Sequence, residues 1–301
     1  MDRLAERLFP RLPGAWAEVN LDAELAGPAR LDPNPCLDPD RCAWLVWHVA
    51  NKHDAAHTYG GYLEDRARLW RGHYHQPGHV VHLGVDYNVP AGTPVCAPAS
   101  GCQVIESRHD PDQRGGWGGR VVLQNDRGFL VLAHLDPAHL PAVGARCAWG
   151  TPLAVVGDAA VNGGWYPHLH AQFVTRAADL GADGYRAYGP DLAERFPHPA
   201  EWLGADPRAW AAAHGCLAAA ELADRLWREL GPPGTLAAWE VTGCRESDEP
   251  AEWVVVEAGL PAGTDGLALY GRVVDAWIDQ TTPAERGSVT LAWGRLAPAP
   301  S

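Results

Sequence analysis

Arg120-Val-Val-Leu-Gln124 and Phe129-Leu-Val-Leu-Ala-His134-Leu135 are two short apolar runs, parted by Asn125-Asp-Arg-Gly128, a polar stretch that closes on glycine. Short runs rich in valine and leucine, bounded by glycine and other turn-forming residues, read as strands rather than helices. More runs of this kind lie on both sides: Val80–Leu83, Thr93–Cys96 and Cys102–Glu106 before, Leu153–Val156 and His168–Val174 after. Strands at a spacing of roughly ten residues predict an antiparallel β-sandwich or barrel-like domain over residues 77–176.

The flanks have a different pattern. Residues 1–76 read as helical with loops, because Arg41 to Arg71 keeps apolar and aromatic residues at helical intervals, broken at Gly60-Gly61. Residues 177–234 return to helix over Glu201–Trp210 and Ala218–Leu230, stopping at Gly231-Pro-Pro. Residues 235–301 carry strand-like runs at Leu236–Thr242, Trp253–Ala258, Leu267–Val274 and Val289–Trp293, which predict a small β-rich module. The expected class is α+β, mainly β with helical flanks.

Composition bounds the function. A chain of 301 residues with 47% hydrophobic content can bury a sizeable core. Its formal net charge of -13 argues against nucleic acid or another general polyanion as partner. The first ten residues, Met1-Asp-Arg-Leu-Ala-Glu-Arg-Leu-Phe-Pro10, lack the apolar run of about 7–15 residues that a signal peptide needs. No stretch approaches the ~18 uninterrupted apolar residues of a membrane span. The expectation is a cytoplasmic protein, or one exported by a route without a cleavable signal. Seven cysteines without any Cys-x-x-Cys spacing argue against a structural zinc knuckle, and Cys96 and Cys102 read as small core residues.

Two motifs carry chemistry. His168-Leu-His170 places two imidazoles on one face of a strand, about 6.6–6.8 Å apart. His82-Leu-Gly-Val-Asp86 adds a third imidazole and a carboxylate, with Gly84 allowing the backbone to bend so that the two converge. Each motif alone is weak, since a lone histidine on a strand is usually structural or solvated. Together they offer the nitrogen and oxygen donors that zinc prefers, with a histidine to spare. His134 closes an apolar strand and by itself reads as an edge residue. Other clusters are weaker: His73-Tyr-His75 with His79 lacks a carboxylate at fitting spacing and reads as lying beside a cleft, and His53 with His57 are spaced as on one helical face. Gly115-Gly-Trp-Gly-Gly119 lacks the Lys-Ser/Thr ending of a phosphate loop and reads as a hairpin loop, with Trp117 and Trp165 as candidate groove walls. There is no His-Glu-x-x-His, which excludes the helical zincin arrangement.

The order of these motifs resembles the lysostaphin/LytM-type zinc metallopeptidases over roughly residues 78–176. The residues that carry it are His82-Leu-Gly-Val-Asp86, Pro90-Ala-Gly-Thr-Pro-Val95, Ala97-Pro-Ala-Ser-Gly101, Ala133-His134-Leu135, Gly150-Thr-Pro-Leu153, Val156-Gly157 and Pro167-His-Leu-His170. The resemblance implies one zinc per chain on His82, Asp86 and His170, an open fourth position for water, and His134 and His168 flanking that water as catalytic groups. It also implies a peptide or peptidoglycan-derived substrate. The competing expectation is a cytoplasmic zinc amidase, or another metal-dependent enzyme of small-molecule metabolism, on the same scaffold. A non-catalytic binding module is disfavoured because all five positions are filled.

Overall fold

The computed structural model describes residues 2–27, 33–73, 78–189, 191–244, 251–261, 263–286 and 288–295. The chain divides into two compact units, residues 1–147 with 153–202, and residues 148–152 with 203–301.

The first unit opens with helix α1 (Arg3–Leu8), strand β1 (Trp16–Glu18), the short helix α2 (Leu21–Glu24) and helix α3 (Pro39–Lys52), then enters strands β2 (His57–Gly60), β3 (Val85–Asn88) and β4 (Pro94–Cys96). Strands β5 (Gln103–Asp110), β6 (Gly118–Asn125), β7 (Gly128–Leu135), β8 (Pro152–Val155) and β9 (Leu169–Val174) follow, with helix α4 (Leu192–Arg195) behind them. Seven strands pair in the order β1-β2-β3-β9-β7-β6-β5, and β4 pairs with β8 in a ribbon of two. Every pairing in the large sheet is antiparallel except β1 with β2. The central strands β3 and β9 are buried along their whole length, as strands covered on both faces must be. Helix α3 starts where Asp38 Oδ1 accepts from Arg41 N at 3.1 Å and Pro39 occupies the first turn. It buries Cys42, Val46, Val49 and Ala50, a stripe at helical spacing.

The α+β class is as expected, but several elements differ from the sequence reading. Val80–Leu83 is not a strand; Val81 makes only isolated bridges to Asp65 and Tyr185, and the strand is Val85–Asn88. Its polar residues Asp86 and Asn88 hid it, since a strand carrying a functional carboxylate does not look apolar. The helical reading of Arg41–Arg71 ends at Lys52, and His57–Gly60 joins the sheet instead. His53 and His57 therefore do not share a helical face: His53 pairs with Glu24 Oε1 at 2.9 Å, while His57 bonds Pro13 O at 3.1 Å.

The second unit holds helices α5 (Pro207–Ala213) and α6 (Leu217–Leu230), strands β10 (Leu236–Cys244) and β11 (Ala251–Leu260), helices α7 (Gly266–Gln280) and α8 (Pro283–Arg286), and strand β12 (Val289–Arg295). Leu267–Val274, read from sequence as a strand, is helix. The reason is topological: β11 and β12 are parallel, a pairing that needs a crossover, and α7 supplies it. Asp265 caps α7 by accepting from Ala268 N at 3.1 Å, and Leu269, Val273 and Trp277 form its buried face at helical spacing. Among the described residues, no helix is long and apolar enough to cross a membrane.

Candidate metal centre

Strands β3 and β9 are neighbours with Asp86 opposite His170, so the sheet register alone brings two of the singled-out residues together. His82 arrives from the segment before β3, His168 from the residue before β9, and His134 from the end of β7. All five are buried, each at most 7% exposed. His82 Nε2 lies 2.9 Å from His170 Nδ1, and Asp86 Oδ1 lies 3.2 Å from the first and 3.1 Å from the second. His168 Nε2 stands 3.7 Å from the same carboxylate oxygen, and the rings of His134 and His168 are 4.5 Å apart.

Neighbouring acceptors assign the ring protons. His82 Nδ1 donates to Gly61 O at 2.8 Å, His134 Nδ1 to Asn162 O at 2.8 Å and His168 Nδ1 to Tyr166 O at 2.7 Å. Each of these rings turns its Nε2 lone pair inward. His170 is reversed: its Nε2 faces Gln172 Oε1 at 3.3 Å, and that amide is oriented by Gln172 Nε2 donating to Ala182 O at 2.9 Å. Its Nδ1 is therefore the inward acceptor. Two imidazole lone pairs and one carboxylate oxygen thus converge with no proton among them, an arrangement that repels itself unless a cation lies between. The three edges of 2.9–3.2 Å are close to the roughly 3.3 Å edge of a tetrahedron built on zinc–ligand bonds of about 2.0–2.1 Å. The donor set fits zinc.

Electrostatics agree with that geometry. Burial lowers His82 to about 4, against the opposing pull of Asp86. Burial also lowers His134 and His168, the first well below the ordinary histidine value, so that both are neutral acceptors at neutral pH. For Asp86, burial alone would favour the protonated form, but the imidazoles of His82, His168 and His170 packed around its carboxylate oppose burial and keep it well below the usual carboxylate range. His134 has φ 64, a left-handed conformation rare outside glycine, held by His134 N donating to Trp117 O at 2.8 Å and Gly157 N donating to His134 O at 2.9 Å. Strain of this kind gathers where a side chain must be aimed.

An open cleft leads to the cluster, with Trp70, Trp117 and Trp165 among its walls and Asp183 at its side. Two glycine-rich loops build one wall: Gly115 N donates to Gly163 O at 3.0 Å, and a Cβ on Gly163 would sit 2.1 Å from Gly116 O. The run at 115–119 is therefore a clasp for the tryptophans. His73 lies beside the cleft, its ring 4.4 Å from Trp165, whereas Tyr74 and His75 fall outside the described residues.

Residues 80–180 match the family model described as Peptidase family M23. They form a peptidase family M23 domain. Within the span of relatives, a protein from Haemophilus influenzae named "Uncharacterized metalloprotease" is 38% identical over 93 residues, which is 31% of this chain and 18% of that protein. A zinc-containing peptidase from Vibrio cholerae is 28% identical with a TM-score of 0.25, over 31% of this chain and 26% of that one. LytU is 25% identical with a TM-score of 0.29, over 42% of this chain and 82% of that one. The chain thus spans less than a fifth of the curated relative it matches.

Some residues of the M23 domain's site, and some brought to it from elsewhere, are not among those the sequence singles out. Gln172 stands two residues beyond His170 on β9, so the period of two could have found it. Asn162 and Gly61 act through backbone carbonyls, which any residue carries. Arg66, outside residues 80–180, sits 3.5 Å from Asp86 Oδ2 and no local pattern announces it.

Proposed function

We propose that the M23 domain is a zinc peptidase that hydrolyses a peptide bond in peptidoglycan or a related peptide, with His82, Asp86 and His170 holding one zinc and His134 and His168 handling protons. The observation that carries it is the buried triad of inward-facing acceptors, flanked by two more imidazoles whose free nitrogens face the same space. Zinc held there supplies Lewis acidity that polarises the scissile carbonyl and lowers the pKa of a water toward about 7. His134 and His168, neutral and with Nε2 unprotonated, can each accept a proton from the attacking water; protonated, each can hydrogen-bond the developing oxyanion or pass the proton to the departing amine. Asn162 O and Tyr166 O keep the two rings in the tautomer this requires. Trp117 and Trp165 offer aromatic surface to an extended peptide, and the crowded glycines behind them keep that wall in place. The choice of peptidoglycan rests on the motif resemblance to lysostaphin/LytM-type enzymes.

Zinc-loaded protein incubated with purified muropeptides, followed by mass spectrometry, is expected to give two fragments that together gain one water. Silence on muropeptides with turnover of small amides would move the substrate to the metabolic class. His134→Ala and His168→Ala should abolish turnover while retaining about one zinc per chain, the three-ligand complement of a catalytic site. Loss of zinc in either variant would reassign that residue as a ligand.

A further inference from the structure

The guanidinium of Arg66 is a buried charge beside the proposed ligands that the mechanism leaves unused. Arg66 is 1% exposed, and its Nη2 lies 3.5 Å from Asp86 Oδ2 and 3.4 Å from Glu64 Oε2, while Nε and Nη1 find no hydrogen-bond partner among the described residues. A full positive charge is seldom taken out of water without a reason. Its position is built by the backbone: Leu63 N donates to His82 O at 2.9 Å, His82 N to Glu64 O at 3.0 Å and Arg66 N to Val80 O at 2.7 Å, lacing residues 63–66 along 80–82. Gly61, at φ 100, completes the cradle, since a Cβ there would fall 1.9 Å from Arg66 Nη2 and 2.7 Å from His82 Nδ1. The same short segment therefore supplies the carbonyl that orients His82 and the cation that faces Asp86.

Asp86 divides its two oxygens. Oδ1 faces His82, His170 and His168, and Oδ2 faces Arg66. Without a metal, the carboxylate is a buried anion among neutral acceptors, and Arg66 is the fixed positive charge against it. We propose that Arg66 is a positioning residue that acts as the built-in countercharge of Asp86, keeping the metal-free pocket assembled with Oδ1 turned toward the histidines. The part of this that concerns zinc rests on the metal reading above; the part that concerns the metal-free fold does not.

The test compares melting of the full chain, metal-free and zinc-saturated, for wild type, Arg66→Met, Arg66→Lys and the double variant Arg66→Met/Asp86→Asn. Methionine keeps most of the stem and removes the charge. Metal-free Arg66→Met should lose on the order of 10 °C in the transition that responds to zinc, as expected when a buried carboxylate loses its partner. Arg66→Lys, which keeps the charge, should lose less. The double variant, carrying neither charge, should regain at least half of the loss although it has one more substitution. Saturating zinc should raise Arg66→Met by more than it raises wild type, because the ion then supplies the missing charge. A packing role moves neither difference: no regain in the double variant, or a double variant that also fails to fold, overturns the proposal, as does an equal zinc-induced rise in Arg66→Met and wild type. A wild type that takes up no zinc would refute the metal reading instead, and the metal-free comparison would still decide this one.

Discussion

Gly84→Ala is the sharpest single test of how the site is assembled. Gly84 lies inside His82-Leu-Gly-Val-Asp86, and its backbone does not occupy the left-handed region, so conformational freedom is not what the position needs. What it needs is room. A Cβ there would stand 2.4 Å from Ala171 O, 2.7 Å from His170 Cε1 and 2.9 Å from His170 Nε2. Reaching even the 3.0 Å that real Cβ atoms respect requires a parting of 3.0 − 2.4 = 0.6 Å between this segment and β9, where Val85 pairs with Ala171 and Asp86 with His170. Overpacking of this size costs about 1–3 kcal/mol, or roughly 3–10 °C in the melting of a unit this large. The displacement falls on one proposed ligand, His170, and on the Gln172 contact that orients it, so zinc affinity should also drop by about 10–100-fold. Competition against a chromogenic chelator measures the affinity and metal-free calorimetry the stability. A variant within about twofold of wild type in affinity and about 1 °C in melting would refute the close-approach reasoning, because no side-chain rearrangement can remove a clash with a backbone oxygen.

Other expectations follow from single contacts. Gln172→Ala removes the acceptor on His170 Nε2 and should weaken zinc binding about 10–100-fold, read by the same competition; an unchanged affinity would mean the ring tautomer is set elsewhere. In chelator-treated protein, His82 is held at about 4 against the ordinary 6.5, so the unfolded chain binds the proton first and stability falls as pH drops from 6.5 toward 4. His82 alone contributes on the order of 3 kcal/mol to that loss, and urea midpoints that stay flat between pH 7 and 5 would contradict a buried neutral imidazole. In the second unit, Asp224 accepts from Arg228 Nε at 2.6 Å and from Trp239 Nε1 at 3.1 Å. Asp224→Ala removes the buried acceptor shared by Arg228 Nε and Trp239 Nε1 and should cost about 1–3 kcal/mol by denaturant titration while zinc affinity stays unchanged.

Much of the strand pattern was readable because β6 and β7 are apolar runs ended by turn residues. The reading failed where local pattern and global need diverged. Val85–Asn88 carries two buried polar residues and so did not look like a strand, though it is central to the sheet. Leu267–Val274 is rich enough in leucine and valine to pass for a strand, and only the parallel pairing of β11 with β12 makes a helical crossover necessary. His57–Gly60 lies just past a helical pattern and is recruited by an open edge of β3.

The sequence by itself determined the residue types that meet at the site and their order along the chain, because donor chemistry belongs to the side chain and the period of two along a strand puts neighbours on one face. Only the tertiary structure decided which nitrogen of each ring faces inward, why Gly84 must be glycine, and that Arg66, from outside the matched domain, stands behind Asp86. Ring protons are assigned by acceptors such as Gly61 O, Asn162 O, Tyr166 O and Gln172 Oε1. Those acceptors, the close approach of Ala171 O and the burial that leaves a guanidinium facing a carboxylate all arise from segments distant in sequence. They exist only once the sheet has closed around them.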